Sequence, residues 1–291
     1  MVVALVLVLV AVGTVVFHFV SPWWWTPIAS NWGYIDDTII ITFWITGVVF
    51  VAIVLFMAYC VYRFRYQKGK RAAYRPEHNK LEAWLTGLTT VGVVAMLTPG
   101  LFVWDQFVTV PEEATEFEVM AQQWQWSFRL PGEDGVLGTT DSRNISDENP
   151  FGINPDDANG RDDVLREGDD LHLSLDKPVK VLLRSIDVLH DFYVPEFRAK
   201  MDMVPGAVTY FWFIPTRTGT FDILCFELCG VGHYAMRGIV VVEEESAYQA
   251  WVQEQPTFAQ SLAQAGTGTG DEVNLVSSEG EAGSADRGIV R

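Results

Sequence analysis

The chain has 291 residues, of which 49% are hydrophobic, and it carries a formal net charge of −17. This strong acidity argues against nucleic acid as a partner, because binding to phosphates requires clustered Lys and Arg. The charge is divided unevenly, since residues 1–104 carry seven Lys and Arg against four Asp and Glu, whereas residues 105–291 carry 13 against 33. The division predicts a membrane anchor at 1–104 followed by a water-soluble domain at 105–250.

Three apolar stretches of the anchor reach the roughly 20 residues that cross a bilayer core. They cover residues 2–20, 38–62 and 83–104. No Lys or Arg precedes the first stretch and no A-x-A-like cleavage site follows it, which favours a retained helix over a cleaved leader. All seven basic residues of the anchor lie in 63–80, between the second and third stretches. The positive-inside rule places this loop in the cytoplasm and therefore places the soluble domain on the exterior face.

The pattern changes after residue 115, where β-branched and aromatic residues alternate with polar ones between Pro and Gly. This pattern predicts an all-β antiparallel sandwich or barrel. Residues 131–163 indicate a long acidic loop or insertion within that domain. Residues 251–291 indicate an acidic tail that is disordered, because the segment 264–291 is rich in Gly, Ser and Glu.

The acidity of the soluble part permits two interpretations. Clustered charge can form a docking face for a basic protein, and an acidic surface can also keep a protein soluble in a high-salt habitat. The charge is spread along the whole soluble part, which favours the high-salt interpretation.

The stretch "CFELCGVGHYAM" at 225–236 contains two of the three cysteines of the chain, Cys225 and Cys229, followed by His233 and Met236. Thiolate, imidazole and thioether form a soft ligand set that suits copper. A structural zinc site would have no reason to include Met. A Cys225–Cys229 disulfide is the alternative, because an exterior compartment permits disulfides.

A mononuclear blue-copper site needs one Cys and two His, so two thiolates suggest that both sulfurs bridge two coppers. Each copper then needs one nitrogen ligand, and His190 is the preferred second donor because it ends the apolar strand pattern "VLLRSIDVLH". His18 and His78 fall in the anchor or its cytoplasmic loop, and His172 alternates within "LHLSL" as a structural residue would. A backbone carbonyl near Glu227 could complete the ligand set.

The segments "DVLHDFYVPEFRAKMDMVPG" and "TFDILCFELCGVGHYAMRG" resemble subunit II of haem-copper cytochrome c oxidases, and the resemblance covers roughly residues 38–250. It implies an N-terminal membrane anchor and an exterior cupredoxin-like Greek-key barrel that holds a binuclear copper centre, CuA. The copper ligands it implies are His190, Cys225, Glu227 through its backbone carbonyl, Cys229, His233 and Met236. The resemblance also implies that the Glu227 carboxylate helps hold a Mg2+ shared with subunit I. With the acidic composition, it points to a halophilic archaeon as a source.

Other residues gain expected roles only from this resemblance. Trp124 in "QQWQWSF" matches the residue through which the electron enters, while Trp126 is expected to be a core aromatic. Asp187 and Asp202 match acids near the copper, although each could equally be a surface charge. Glu82 in "NKLEAWLT" matches the carboxylate at the mouth of a proton channel, or it could be a solvated acid at a helix N-terminus.

The sequence departs from the family pattern in two places. The third span reads "AWLTGLTT", with Trp84 shifted and without the usual Pro, and residues 131–163 form a long acidic insertion. The first departure weakens the match at Glu82, and the second leaves the identity of the electron donor open.

The sequence therefore predicts the electron-accepting subunit of a membrane haem-copper terminal oxidase, with its anchor in the plasma-membrane lipid. Its expected partners are subunit I, the other oxidase subunits, and a soluble donor that is either a cytochrome c or a small blue-copper protein. The alternative is a membrane-anchored copper-binding cupredoxin, such as a chaperone. A nitrous oxide reductase would need a further His-rich copper cluster, for which five His in all leave no room.

Overall fold

The structure is a computed structural model that describes residues 1–21, 26–71, 73–74, 76–146, 148–168 and 170–268. Within these ranges, three long helices precede a β-domain of two sheets, and two shorter helices follow it.

The long helices are α1 (Val2–Val20), α2 (Gly33–Arg63) and α3 (Asn79–Val108). Each is long and apolar enough to cross a membrane, so helices occupy all three predicted spans. Their side chains are largely exposed in the isolated chain. Exposed apolar side chains on helices of this length are expected to contact lipid or other membrane subunits.

In the part of the β-domain that the structure describes, ten strands form two five-stranded sheets. They are β1 (Thr115–Gln122), β2 (Gln125–Leu130), β3 (Val164–Glu167), β4 (Asp170–Ser174), β5 (Val179–Ser185), β6 (His190–Val194), β7 (Ala199–Met203), β8 (Thr209–Phe213), β9 (Gly219–Cys225) and β10 (Arg237–Glu243). Sheet 1 has the order β3-β2-β1-β5-β8, and sheet 2 has the order β4-β10-β9-β6-β7. The all-β cupredoxin-like prediction is confirmed by this architecture.

The prediction of wholly antiparallel pairing is wrong at two places. Strand β1 runs parallel to β5, and β4 runs parallel to β10. Both pairs join strands that are distant in the sequence, and a long connection allows parallel pairing whereas a short hairpin does not. The alternation of apolar and polar residues shows which face of a strand is buried, but it does not show which strand pairs with it or in which direction.

The main core lies between the two sheets. Along β1, Phe117, Val119 and Ala121 are buried on the inner face, as the two-residue period of a strand requires. Trp126 on β2 belongs to the same core and meets the Phe192 ring edge-on at 5.7 Å. The expectation that Trp126 is a core aromatic is therefore confirmed.

The insertion at 131–163 is an ordered cover on the outer face of sheet 1. Met120, which points outward from β1, packs with Phe151 and Ile153 of the insertion and with Phe258. Phe258 begins helix α5 (Phe258–Gly268), and its backbone N–H donates to the carbonyl of Asp163 at 2.7 Å. The insertion and the C-terminal helix thus share a second, smaller core.

The predicted disordered tail is wrong for residues 251–268. Residues up to 254 belong to helix α4 (Glu245–Glu254), and α5 covers 258–268. The tail contains Trp251 and Phe258, whose burial depends on surfaces that composition alone does not reveal. Residues 269–291, the rest of the predicted tail, lie outside the described residues.

A buried ion network fastens the insertion to sheet 1. The Arg129 guanidinium contacts Glu118 Oε2 at 3.0 Å and Asp163 Oδ2 at 2.6 Å, and all three side chains are at most 2% exposed. Arg184 Nε lies 2.7 Å from the other oxygen of Glu118. Burial raises the pKa of Asp163 to about 6, although the Arg129 charge opposes the shift. The acidic insertion is thus held partly by charges that point inward.

The membrane helices are bonded directly to the β-domain. The indole N–H of Trp32, just before α2, donates to the Trp212 carbonyl at 2.9 Å. The indole N–H of Trp212 donates to the Gln106 carbonyl near the end of α3 at 3.0 Å. Arg198 pairs with Asp36 in the first turn of α2 at 2.7 Å. We call this group of contacts the membrane junction.

Candidate metal centre

Two neighbouring segments of sheet 2 supply the predicted ligands. Cys225 ends β9, and the loop 226–236 returns through a short 3₁₀ turn that begins at His233. His190 is the first residue of β6, which pairs with β9. The sequence pattern had suggested that His190 ends a strand, but β5 ends at Ser185 and the chain then crosses from sheet 1 to sheet 2.

The predicted ligand atoms converge on the two sulfurs. The Sγ atoms of Cys225 and Cys229 lie 3.7 Å apart. His190 Nδ1 lies 3.7 Å from the Cys225 sulfur, and His233 Nδ1 lies 3.6 Å from the Cys229 sulfur. Met236 Sδ is 3.9 Å from the Cys229 sulfur, while the carbonyl oxygen of Glu227 is 3.2 Å from the Cys225 sulfur. Each sulfur therefore has an imidazole nitrogen of its own.

The disulfide alternative does not describe this arrangement. A disulfide holds its two sulfurs about 2.05 Å apart, whereas these sulfurs are 3.7 Å apart and both cysteines are free. The separation leaves room for the sulfurs to share a metal ion.

The electrostatics of the site favour one thiolate. Burial opposes ionisation of Cys225, but its hydrogen bonds with His190 and with the backbone outweigh burial and lower its pKa. Burial and the neighbouring Cys225 raise the pKa of Cys229. Burial disfavours the charged form of His190, but its hydrogen bonds to Cys225 and Asp187 raise its pKa overall. The two thiols therefore lose a first proton more readily than a second.

The donor set fits a pair of copper ions. Two thiols, two imidazoles and a thioether are the soft and borderline donors that copper prefers. Cys225, Cys229, His190 and Met236 are at most 7% exposed, so solvent does not compete as a ligand. Because each sulfur has its own nitrogen donor, the residues fit two ions bridged by the sulfurs better than one.

Asp187 orients His190 by contacting the ring nitrogen that does not face the Cys225 sulfur. Its Oδ1 lies 2.9 Å from His190 Nε2, and its Oδ2 accepts from the backbone N–H of Gln123 at 2.7 Å. A carboxylate at this nitrogen fixes the ring orientation and leaves Nδ1 for a metal. Asp202 is exposed and lies opposite Asp191 in the sheet, so it reaches the residue beside His190 rather than a ligand.

Trp124 lies at the turn between β1 and β2 and is 40% exposed. Its indole faces the loop 226–236, which we call the copper loop, at Gly230 and Gly232. The side-chain amide of the preceding Gln123 donates to the Cys229 carbonyl at 2.7 Å. Sequence reasoning missed Gln123, since no local pattern distinguishes it from the neighbouring Gln122.

Sequence reasoning also missed an apolar rim on the copper loop. Four of its large hydrophobic side chains are between 55% and 85% exposed: Phe226, Leu228, Val231 and Tyr234. Contiguous exposed apolar groups mark contact surfaces. Their concentration within one short loop was the signal available in the sequence.

Two other candidates lie away from the copper ligands. Glu82 is exposed in the first turn of α3, where its carboxylate accepts from the His78 backbone N–H at 3.2 Å. It lies at the opposite end of α3 from the β-domain. His172 stacks on Trp251 with ring centroids 4.0 Å apart, as expected for a structural residue.

Comparison with known proteins identifies relatives. The family described as cytochrome C oxidase subunit II, periplasmic domain, matches residues 116–244. The chain is 70% identical over 259 residues to the alternative cytochrome c oxidase subunit 2 of Bradyrhizobium diazoefficiens, covering 89% of this chain and 94% of the relative. It is 29% identical over 242 residues to cytochrome c oxidase subunit 2 of Cereibacter sphaeroides, covering 79% of this chain and 77% of the relative.

Among solved structures, the periplasmic domain of subunit II of cytochrome oxidase from Bradyrhizobium japonicum is similar, at 23% identity and a TM-score of 0.36. The match covers 50% of this chain and 96% of that domain. The expected halophilic source stays a prediction that these relatives do not test.

Proposed function

Because this chain belongs to the cytochrome c oxidase subunit II family, we propose that it is the electron-accepting subunit of a membrane haem-copper terminal oxidase. It takes electrons from a soluble carrier, either a cytochrome c or a small blue-copper protein, at a binuclear CuA centre. The electrons continue to haem in subunit I, where oxygen is reduced to water and protons are pumped. The observation that supports this proposal is the pairing of each converging sulfur with its own imidazole nitrogen, at 3.7 and 3.6 Å.

The bound coppers would supply a one-electron carrier. Cys225 and Cys229 would hold both ions, His190 and His233 would each bind one, and Met236 and the Glu227 carbonyl would complete the set. The chain contributes a buried frame that changes little when charge arrives, because interior packing resists movement. Asp187 keeps His190 in one orientation.

Electron input is assigned to Trp124, whose exposed side can meet a donor while its other side faces the copper loop. The apolar rim would contribute contact area for docked proteins. The three helices would place the subunit in the plasma membrane among lipid and the other oxidase subunits, with the copper domain outside.

Two carboxylates are proposed to act at the boundary with subunit I. Glu82 would receive protons at the mouth of a channel, and Glu227 would bind a Mg2+ shared between the subunits, in keeping with the preference of Mg2+ for carboxylate. Glu82→Gln should slow proton uptake without altering the copper spectrum. Glu227→Gln should abolish the EPR signal of Mn2+ substituted for Mg2+. Normal proton uptake in the first variant, or a retained manganese signal in the second, would refute the respective role.

The test of the main proposal is copper analysis with EPR on the assembled oxidase that contains this chain. Two coppers in the subunit, with one unpaired electron shared by both nuclei, are expected. One copper with single-nucleus splitting would contradict the binuclear centre and favour the copper-chaperone alternative. The burial of the ligand atoms argues against that alternative, because a chaperone must release its ion readily.

A further inference from the structure

We propose that Gly232 is a positioning residue for electron input, because its missing side chain lets the Trp124 indole lie directly on the copper loop. This inference rests on the proposed role of Trp124 as the residue that receives the electron. Gly232 stands one residue before the ligand His233, and it caps the 3₁₀ turn that carries that ligand.

The backbone does not explain a glycine at this position. Gly232 has φ −91° and ψ 4°, which is the conformation of the third residue of a type I turn and is open to most residues. Gly230 differs, since its φ of +123° belongs to a region that side chains rarely adopt. Gly230 is therefore required by its own backbone, whereas Gly232 requires another reason.

That reason is the indole. A Cβ built on Gly232 would lie 2.7 Å from both Cγ and Cε3 of Trp124, and closer still to Cδ2. Real Cβ atoms essentially never approach other heavy atoms so closely, so a methyl group would force a displacement. The face of the indole is thus in direct contact with the backbone that joins Cys229 to His233.

Two hydrogen bonds of Gln123 hold the backbone next to Trp124 in place. The Gln123 backbone N–H donates to Asp187, and its side-chain amide donates to the Cys229 carbonyl, both at 2.7 Å. Asp187 in turn contacts His190. Gln123 therefore ties the Trp124 turn to both ligand segments. A methyl group at residue 232 would have to swing the indole outward, away from the loop and toward solvent.

The step affected is the transfer of one electron. The reduced soluble carrier loses one electron and the copper centre gains it, while no bond breaks and no proton moves. Transfer across a gap weakens steeply with distance, so close packing of the indole against the loop favours it. Because an outward swing widens the gap between the indole and the loop, we expect Gly232→Ala to lower the rate of electron input.

The test uses the assembled oxidase and measures two rates separately: reduction of the copper centre by the reduced donor, and the subsequent transfer to haem. Gly232→Ala should slow only the first, with the copper EPR spectrum and reduction potential unchanged. In a Trp124→Ala background the same substitution should cause no further loss, because there is no ring to displace. Ala235→Ser is the matched control, since it adds one atom to an exposed residue of the same turn.

Wild-type electron input in Gly232→Ala would overturn the inference, and so would an equal loss in the Trp124→Ala background. If Trp124→Ala itself left input unchanged, the proposed role of Trp124 would fail instead. Should Gly232→Ala disturb copper binding, Gln123→Met decides the question. It removes the bond to Cys229 without adding bulk at the loop, and it should also slow the first step alone; an unchanged rate would count against the inference.

Discussion

The copper end of the β-domain and the outer face of sheet 1 both bury polar groups, but they do so in opposite ways. On the outer face, the Arg129 cation meets the carboxylates of Glu118 and Asp163. At the copper end, the converging atoms of Cys225 and Cys229 and their neighbours are all electron-pair donors. Opposite charges satisfy one another, whereas a group of donors is stabilised by a shared cation. The first region is therefore structural, and the second indicates a metal.

The largest effect is expected from Cys229→Ser at the copper end. A hydroxyl is a poor bridging ligand for copper, so the binuclear EPR signal should disappear while the β-domain stays folded. Cys60→Ser is the matched control, because Cys60 lies in α2 outside the metal centre. Metal analysis and EPR of the full chain in its complex would measure both variants. A binuclear signal that persists in Cys229→Ser would contradict the assignment.

On the outer face, Arg129→Met should destabilise the domain by about 3–5 kcal/mol, because it leaves Asp163 buried without its cation and removes one of the two cations that contact Glu118. Denaturation of the full chain in detergent, followed by circular dichroism, would measure the loss. Arg143→Met is the control, since Arg143 pairs with Asp141 on an exposed surface, and it should leave the midpoint unchanged. Equal stability of the two variants would remove the contrast between the regions.

Phe258→Ala should cost about 3 kcal/mol, within the usual range for a buried Phe, because it empties the small core shared by the insertion and α5. The loss should be local, so hydrogen exchange should rise in 131–163 and in α5 but not in the copper loop. Gln253→Ala on the exposed side of α4 provides the control. Increased exchange throughout the domain would show that the two regions are not independent.

The smallest effect concerns pH. Burial raises the pKa of Asp163 to about 6 from 3.8, so the folded state holds the proton more tightly than the unfolded state does. The resulting stability is complete below about pH 4 and is lost as the pH rises through 6. The free energy of unfolding should change by at most about 1.4 kcal/mol per pH unit through this group. Burial also raises the pKa of Asp191 to about 7, which adds a slope of the same sign. Denaturation midpoints between pH 4 and 7 should therefore fall more steeply in the wild type and in Asp156→Asn than in Asp163→Asn; an identical slope in all three would exclude Asp163 as a source.

The sequence was informative where chemistry is local. The spacing from Cys225 to Met236 places four donors in one loop, and the apolar runs predict three helices, because both signals lie within short windows. The sequence did not predict the buried ion network around Arg129, because Arg129 and Asp163 are 34 positions apart and only the folded sheet brings them together. The order of helix α5 was missed for the same reason, because Phe258 is buried against Met120 and the insertion.

The membrane junction has a mechanical consequence. The Trp212 carbonyl accepts a hydrogen bond from Trp32, just before α2, and its indole N–H donates one to Gln106 near the end of α3. Both helices are therefore bonded to the same strand, β8. Helices tilt when the bilayer is thinner than their hydrophobic length, and a tilt would rotate β8 with them. The thickness of the lipid layer would then set the angle at which the copper end faces subunit I, and copper-to-haem transfer rates in bilayers of different acyl-chain length would reveal that dependence.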